Sequence, residues 1–206
     1  LFGVARMTVR NEIAQLASEG VLDAQPGRGT FVQAPPRTAY EVGASYTLST
    51  SAGSKTPGAR LLSQSATQAS DSLAAWLEIE PGSPAVTIER LRTTDGEPVG
   101  IERVALPLDR FPGLETVSLE NDSLYRVLEE RWNLRRVNLE ARAAAVLPSS
   151  EDATLLGITE STPCVALQMT NRDENRAVFE VGNAIYRGDR YELLLHHDAR
   201  MTVWRS

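Results

Sequence analysis

The chain has 206 residues, 42% hydrophobic and 23% charged, with 21 Lys plus Arg against 27 Asp plus Glu and a formal net charge of −6. These proportions suit a globular chain of one large domain, or a small one joined to a medium one, and they exclude a uniformly basic nucleic-acid coat while allowing one basic module on an acidic body. No uncharged apolar run reaches the roughly 18 residues of a membrane span, and a single cysteine, Cys164, with no signal-peptide pattern points to a reducing cytoplasm and no intrachain disulfide.

The first residues, Leu1 onward, read as the middle of a longer element, so an N-terminal piece is expected to precede them. From Arg6 to Gly20, Val9, Ile13, Leu16 and Ala17 recur at helical spacing, and Gly20 stands where a helix C′ glycine belongs. Arg6, Arg10 and Asn11 lie off that apolar stripe, with Thr8 near the leading end. Two short strands follow around Pro26-Gly27-Arg28-Gly29, a hairpin with one arginine at its tip. A helix with arginines and a hydroxyl at its leading end suits the major groove of DNA, and a basic hairpin tip suits the adjacent backbone. A solvated charged face is the plainer reading of the helix alone; the helix and hairpin in succession favour DNA. Residues 1–37 hold four arginines (Arg6, Arg10, Arg28, Arg37) against Glu12, Glu19 and Asp23, which leaves seven net negative charges on the remainder.

The run Phe2-Gly3-Val4-Ala5-Arg6-Met7-Thr8-Val9-Arg10, then Leu16, Glu19-Gly20-Val21-Leu22 and Gly27-Arg28-Gly29-Thr30-Phe31-Val32 resembles the winged helix-turn-helix of GntR-family regulators. The resemblance implies a partial DNA-binding domain over residues 1–33, without its leading helix. Arg6–Ser18 would be the recognition helix, with Arg6, Thr8 and Arg10 on bases or phosphates and Arg28 with Gly29 in the wing.

Residues 34–44 contain Pro35-Pro36 and no apolar periodicity, and read as a linker. Beyond it the expected elements are a short helix near Thr47–Ala52, a strand near Leu61–Thr67 and a helix near Ser70–Leu77. A hairpin Ala85–Thr94/Val99–Leu106 around Asp95-Gly96 follows, then a helix at Ser123–Trp132 and a strand to Leu147. A short helix capped at Ser149 precedes three strands near Cys164–Asn171, Ala177–Tyr186 and Tyr191–His197. His196 and His197, adjacent on that last strand, would point to opposite sides and cannot share a metal. Hairpin-linked strands with interspersed helices predict an α+β fold, an antiparallel sheet with helices on one face.

Period two places Arg90 and Arg92 on the face of Val86 and Ile88. They either reach a solvated sheet edge or point into a cleft that holds an anion. A two-residue loop at Asp95-Gly96 would set Glu89 against Glu102, whereas a three-residue loop sets Arg90 against Glu102, the better electrostatic pairing. Asp122-Ser123-Leu124-Tyr125 opens a helix; Ser123 is either a plain N-cap or part of an anion site. Glu180 and Tyr186 lie six apart on one strand and share a face.

Ser45-Tyr46-Thr47, Glu89-Arg90-Leu91-Arg92, Asp95-Gly96-Glu97-Pro98, Ile101-Glu102, Ser123-Leu124-Tyr125 and Tyr186-Arg187-Gly188-Asp189-Arg190-Tyr191 together resemble the UTRA effector-binding domain of the HutC subfamily of GntR regulators, whose fold is similar to chorismate lyase. The resemblance covers residues 45–206. It implies phosphate contacts from Tyr46, Thr47, Arg90, Arg92, Ser123 and Tyr125, and sugar contacts from Glu102, Glu180 and Tyr186. The implied protein is a cytoplasmic homodimeric regulator, a repressor of palindromic double-stranded DNA, answering to a small sugar phosphate such as glucosamine 6-phosphate or N-acetylglucosamine 6-phosphate. It uses no cofactor, metal or catalytic residue. The alternatives are a carboxylate, amino-acid or lipid effector, or a lyase on the similar fold, which would leave the basic helix and hairpin without a role.

Overall fold

A computed structural model describes residues 5–18, 22–25, 27–32, 38–41, 56–120 and 122–194. The chain divides into two units, Leu1–Arg37 and Thr38–Ser206. The smaller holds helix α1 (Arg6–Ser18) and the antiparallel hairpin β1 (Leu22–Gln25)/β2 (Gly29–Val32). Gly27 and Gly29 take φ of 76° and 121°, left-handed values that close the turn at little steric cost. The amphipathic stripe of α1 is present but no residue of the helix is buried, and Val9 and Leu16 stay 46% and 36% exposed. One helix and a two-stranded hairpin offer too little apolar surface to enclose that face.

The larger unit begins with β3 (Thr38–Glu41), which pairs in parallel with β10 (Tyr191–Leu194). The linker expected over residues 34–44 thus contains a strand in its second half. Four residues are too few to carry a periodic signal, and the pairing partner is remote in sequence. The expected helix near Thr47–Ala52, with Tyr46 and Thr47, lies outside the described residues, as do His196 and His197.

The main sheet has six strands in the order β4-β5-β6-β9-β8-β7, formed by β4 (Pro57–Gln68), β5 (Pro84–Thr94), β6 (Glu97–Pro107), β7 (Arg136–Val146), β8 (Cys164–Asp173) and β9 (Val178–Arg187). Every neighbouring pair in this order whose register is known runs antiparallel. Three helices accompany it: α2 (Asp71–Leu77), α3 (Leu124–Trp132) and α4 (Ser150–Leu156), each opened by a serine N-cap, Ser70, Ser123 and Ser149.

These helices cover both faces rather than the single face expected. Val86, Ile88, Val104 and Leu106 pack with Leu124, Val127 and Leu128 of α3. Alternate residues turn the other way: Ala85, Ala105 and Val181 meet Ala74 and Leu77 of α2, and Leu91, Ile101 and Ile185 meet Leu156 of α4. The reason lies in β5, which carries apolar residues on both sides, Ala85 and Leu91 on one and Val86 and Ile88 on the other, all of them buried. Arg103 adds a polar tie, bridging Glu89 at 2.7 Å and Asp152 of α4 at 2.7 Å.

The β5–β6 hairpin resolves the register question in a way neither simple loop does. Thr94 pairs with Glu97 across a two-residue turn in which Asp95 (φ 53°) and Gly96 (φ 84°) are both left-handed, the signature of a type I′ turn. A bulge at Val99 then shifts the ladder by one, so that Arg92 faces Gly100 and Arg90 faces Glu102. The predicted opposition of Arg90 and Glu102 holds, produced by a bulge rather than by a longer loop.

Candidate functional site

On the smaller unit, Arg6, Thr8 and Arg10 all stand exposed in the first turns of α1. Arg6 and Arg10, one turn apart, share a side; Thr8, two residues from each, lies roughly 160° round the helix at 100° per residue. Arg28 is exposed at the hairpin tip, where its N–H donates to the Gln25 carbonyl at 3.0 Å, and Gly29 opens β2. The five residues therefore form two exposed groups on separate elements, and Thr8 stands apart from the two arginines.

The larger unit concentrates its polar side chains where an apolar sheet face should be. Arg90, Arg92, Glu102, Asn171 and Glu180 are all buried, and Arg90 keeps only 2% of its surface. The sheet brings them together by register: Arg90 faces Glu102 across β5–β6, and Glu180 faces Asn171 across β8–β9. A second bulge, at Phe179, turns both Phe179 and Glu180 toward the α3 side.

Glu102 is the hub of one half. Its Oε2 accepts from Arg90 Nη2 at 3.0 Å and from Arg92 Nε at 2.7 Å, and its Oε1 accepts from the Tyr186 hydroxyl at 2.7 Å. Burial pushes this carboxyl up, but Arg92, Arg90 and the hydrogen bonds from Tyr186 and Arg92 outweigh it and hold Glu102 below the usual carboxylate range. Tyr186 reaches Glu102 because its ring lies flat across Gly100, where any Cβ would run into the ring. Its other side stacks on Tyr191, with centroids 4.2 Å apart and planes 12° from parallel.

Glu180 is the hub of the other half. Its Oε2 accepts from the Tyr125 hydroxyl and from Asn171 Nδ2, both at 2.6 Å, and so ties the start of α3 to the sheet. Burial pushes Glu180 above the usual carboxylate range; the Tyr125 hydrogen bond opposes this and the nearby Glu102 charge reinforces it. With its proton held, Glu180 leaves the cluster of Arg90, Arg92, Glu102 and Glu180 one net positive charge; without it the four groups sum to zero.

Arg90 is under-used in this network. Burial, then the like charge of Arg92, lowers its pKa from the ordinary arginine value, and among the described residues its Nε and Nη1 have no hydrogen-bond partner while Nη2 is engaged. Buried donors without partners cost about 1–3 kcal/mol, more on a charged group. An anion placed against either nitrogen would satisfy it.

Ser123 performs the plainer of its two expected roles. Its hydroxyl accepts from Arg126 N at 3.4 Å as an N-cap, and Asp122 accepts from Ser123 N at 2.7 Å and pairs with Arg126. The Arg126 hydrogen bonds chiefly hold Asp122 below the usual range, and the field of Arg90 adds to them, so Arg90 and the start of α3 face one neighbourhood.

Of the expected sheet residues, Arg90, Arg92, Glu102, Tyr125, Glu180 and Tyr186 converge, Ser123 borders them, and Tyr46 and Thr47 lie outside the described residues. Sequence reasoning missed Asn171. Its signal was available: period two places Asn171 on the same face as Leu167 and Met169, an amide continuing an apolar stripe. Among the described residues no three His, Cys, Asp or Glu side chains gather as a metal site, and no helix is long and apolar enough to cross a membrane. Cys164 is buried, and burial pushes its thiol up, away from nucleophilic use.

Residues 52–192 match the family model described as the UTRA domain, and residues 1–32 match that of bacterial regulatory proteins, gntR family. The chain is 34% identical over 190 residues to the HTH-type transcriptional repressor PhnF of Mycolicibacterium smegmatis, covering 92% of this chain and 77% of the relative. It is 32% identical over 201 residues to the HTH-type transcriptional repressor NagR of Bacillus subtilis, covering 96% and 81%. The crystal structure of PhnF from Mycobacterium smegmatis superposes with a TM-score of 0.79 at 32% identity, over 97% of this chain and 88% of that one.

Proposed function

Because this chain belongs to the gntR family of bacterial regulatory proteins, carries a UTRA domain and is a transcription regulator rather than an enzyme, we propose that it is a homodimeric, cytoplasmic repressor whose larger unit senses a small phosphorylated sugar. The observation that carries the effector class is Arg90: a buried guanidinium with two donors left open, beside Arg92 and in a cluster with two carboxylates and two tyrosines. The phosphate would take one of Arg90's open nitrogens, Nε or Nη1, which face different sides of the guanidinium, with Arg92 and the Ser123 end of α3 nearby. Glu102, Glu180 and Tyr186 would read sugar hydroxyls, or the amine of a glucosamine. Tyr46 and Thr47 complete the proposed set, and the proposed domains are residues 1–33 and 45–206.

Arg6, Thr8 and Arg10 would approach the operator, and Arg28 with Gly29 its backbone. A two-fold protein reads a palindrome with half-sites about 34 Å apart. The effector acts by preferring one arrangement of the DNA-binding units, a coupling of about 1–3 kcal/mol in typical systems.

A thermal-shift panel separates the effector classes. Glucosamine 6-phosphate and N-acetylglucosamine 6-phosphate should raise Tm and the unphosphorylated sugars should not, since saturation at 100 times Kd stabilises by about 2.7 kcal/mol. A response to sugar acids or amino acids without one to any sugar phosphate overturns the phosphate reading.

A further inference from the structure

Buried polar atoms nearly always find hydrogen-bond partners, so an orphan inside a polar cluster marks what that cluster is built to receive. Among the described residues this cluster leaves orphans of both kinds. Arg90 Nε and Nη1 are donors, whereas Asn171 Oδ1 is an acceptor on a side chain only 1% exposed.

The orientation of the Asn171 amide is fixed by what it faces. The β8–β9 ladder sets Asn171 opposite Glu180, beside the bulge at Phe179. The Tyr125 hydroxyl gives its proton to Glu180 Oε2 at 2.6 Å and so presents only lone pairs to the amide. Asn171 Nδ2 lies 3.1 Å from that hydroxyl oxygen and 2.6 Å from Glu180 Oε2, donating to both. Turned round, the amide would set its oxygen against two acceptors. Oδ1 is therefore the end directed away from Glu180 and Tyr125, and it is the end left open.

Open donors and an open acceptor ask for opposite chemistry. Phosphate oxygens satisfy Arg90, but an acceptor such as Asn171 Oδ1 needs an O–H or N–H. Arg90 and Asn171 stand on β5 and β8, three strand spacings or about 14 Å apart at the backbone, so the two demands fall on separate parts of a ligand. We propose that Asn171 is a specificity-determining residue of the effector site, its Oδ1 accepting a hydrogen bond from a hydroxyl or amine of the effector other than the group that Glu180 reads. The effector then carries an anionic group and, away from it, at least one hydrogen-bond donor. A sugar phosphate meets both demands, whereas a fatty acid offers no donor.

This inference rests on the sugar-phosphate reading above, and its test separates the two. Titration calorimetry on the 206-residue chain uses glucosamine 6-phosphate, analogues each lacking one hydroxyl or the amine, and inorganic phosphate. A site built to hydrogen-bond a group rejects the analogue without it. Asn171→Leu should weaken glucosamine 6-phosphate by about ten-fold or more, leave inorganic phosphate unchanged, and erase the penalty for one missing group. Glu180→Gln should keep that same penalty, because the two side chains read different groups. Asn171→Ala carries the same expectation if leucine does not fit, and retained phosphate binding reports a folded anion site in either variant. If Asn171→Leu and Glu180→Gln erase the same penalty, Asn171 only positions Glu180 and the assignment falls. Parent-like affinity for glucosamine 6-phosphate in the Asn171 variants also overturns it. A parent protein that binds no sugar phosphate refutes the sugar-phosphate reading, and the role of Asn171 with it.

Discussion

Replacing Arg90 by methionine separates a binding role from a structural one. Removing one member of a buried ion pair ordinarily costs about 3–5 kcal/mol, because the remaining charge is left unpaired. Here Glu102 would still accept from Arg92 at 2.7 Å and from Tyr186 at 2.7 Å. The substitution also removes two buried donors that lack partners and fills a similar volume with an apolar chain. Effector-free stability, measured by urea unfolding, should therefore change by no more than about 1 kcal/mol, or rise. Affinity for glucosamine 6-phosphate should behave oppositely. One charge-assisted hydrogen bond to the phosphate at about 1.5–3 kcal/mol amounts to a loss of about 10- to 150-fold by titration calorimetry. Parent-like affinity, or a loss of 3–5 kcal/mol in the effector-free protein, would refute the reasoning and make Arg90 a structural residue.

Gly100→Ala should displace the Tyr186 ring, costing about 1–3 kcal/mol in urea unfolding as an overpacked site does and weakening effector binding in the same protein. Glu180 has a folded pKa above its unfolded value, so the stability it contributes is present below the ordinary carboxylate range near 4.3 and is lost as pH rises toward the folded value. Glu180→Gln should therefore gain stability relative to the parent as pH increases, and parallel stability curves would remove the buried carboxyl from the account. Arg6→Ala and Arg10→Ala should each weaken operator binding and lower the log–log salt slope by about 0.9 in fluorescence anisotropy; unchanged slopes would take α1 out of the interface.

The sheet was legible because Asp95-Gly96 marks the turn between β5 and β6, and the caps at Ser123 and Ser149 sit where the sequence places them. The placement of helices on both faces was not read from the sequence, because Thr87 and Glu89 interrupt the second apolar face that Ala85 and Leu91 form on β5. Bulges were not legible. Nothing local in Val99 or Phe179 announces an extra residue, since a bulge is decided by the partner strand's side chains. The polar cluster was half visible: Arg90 and Arg92 broke the apolar face of their own strand, and Asn171 broke that of Leu167 and Met169 in the same way, but its link to Glu180 needed the β8–β9 register. Strand β3 was hidden because its partner lies some 150 residues away.

The most direct measurement is a crystal structure of the protein with glucosamine 6-phosphate bound. The account predicts a phosphate oxygen about 2.7–2.9 Å from Arg90 Nε or Nη1, with the sugar directed toward Glu102, Glu180 and Tyr186. A phosphate bound elsewhere, with those two nitrogens of Arg90 still unpaired, would contradict it.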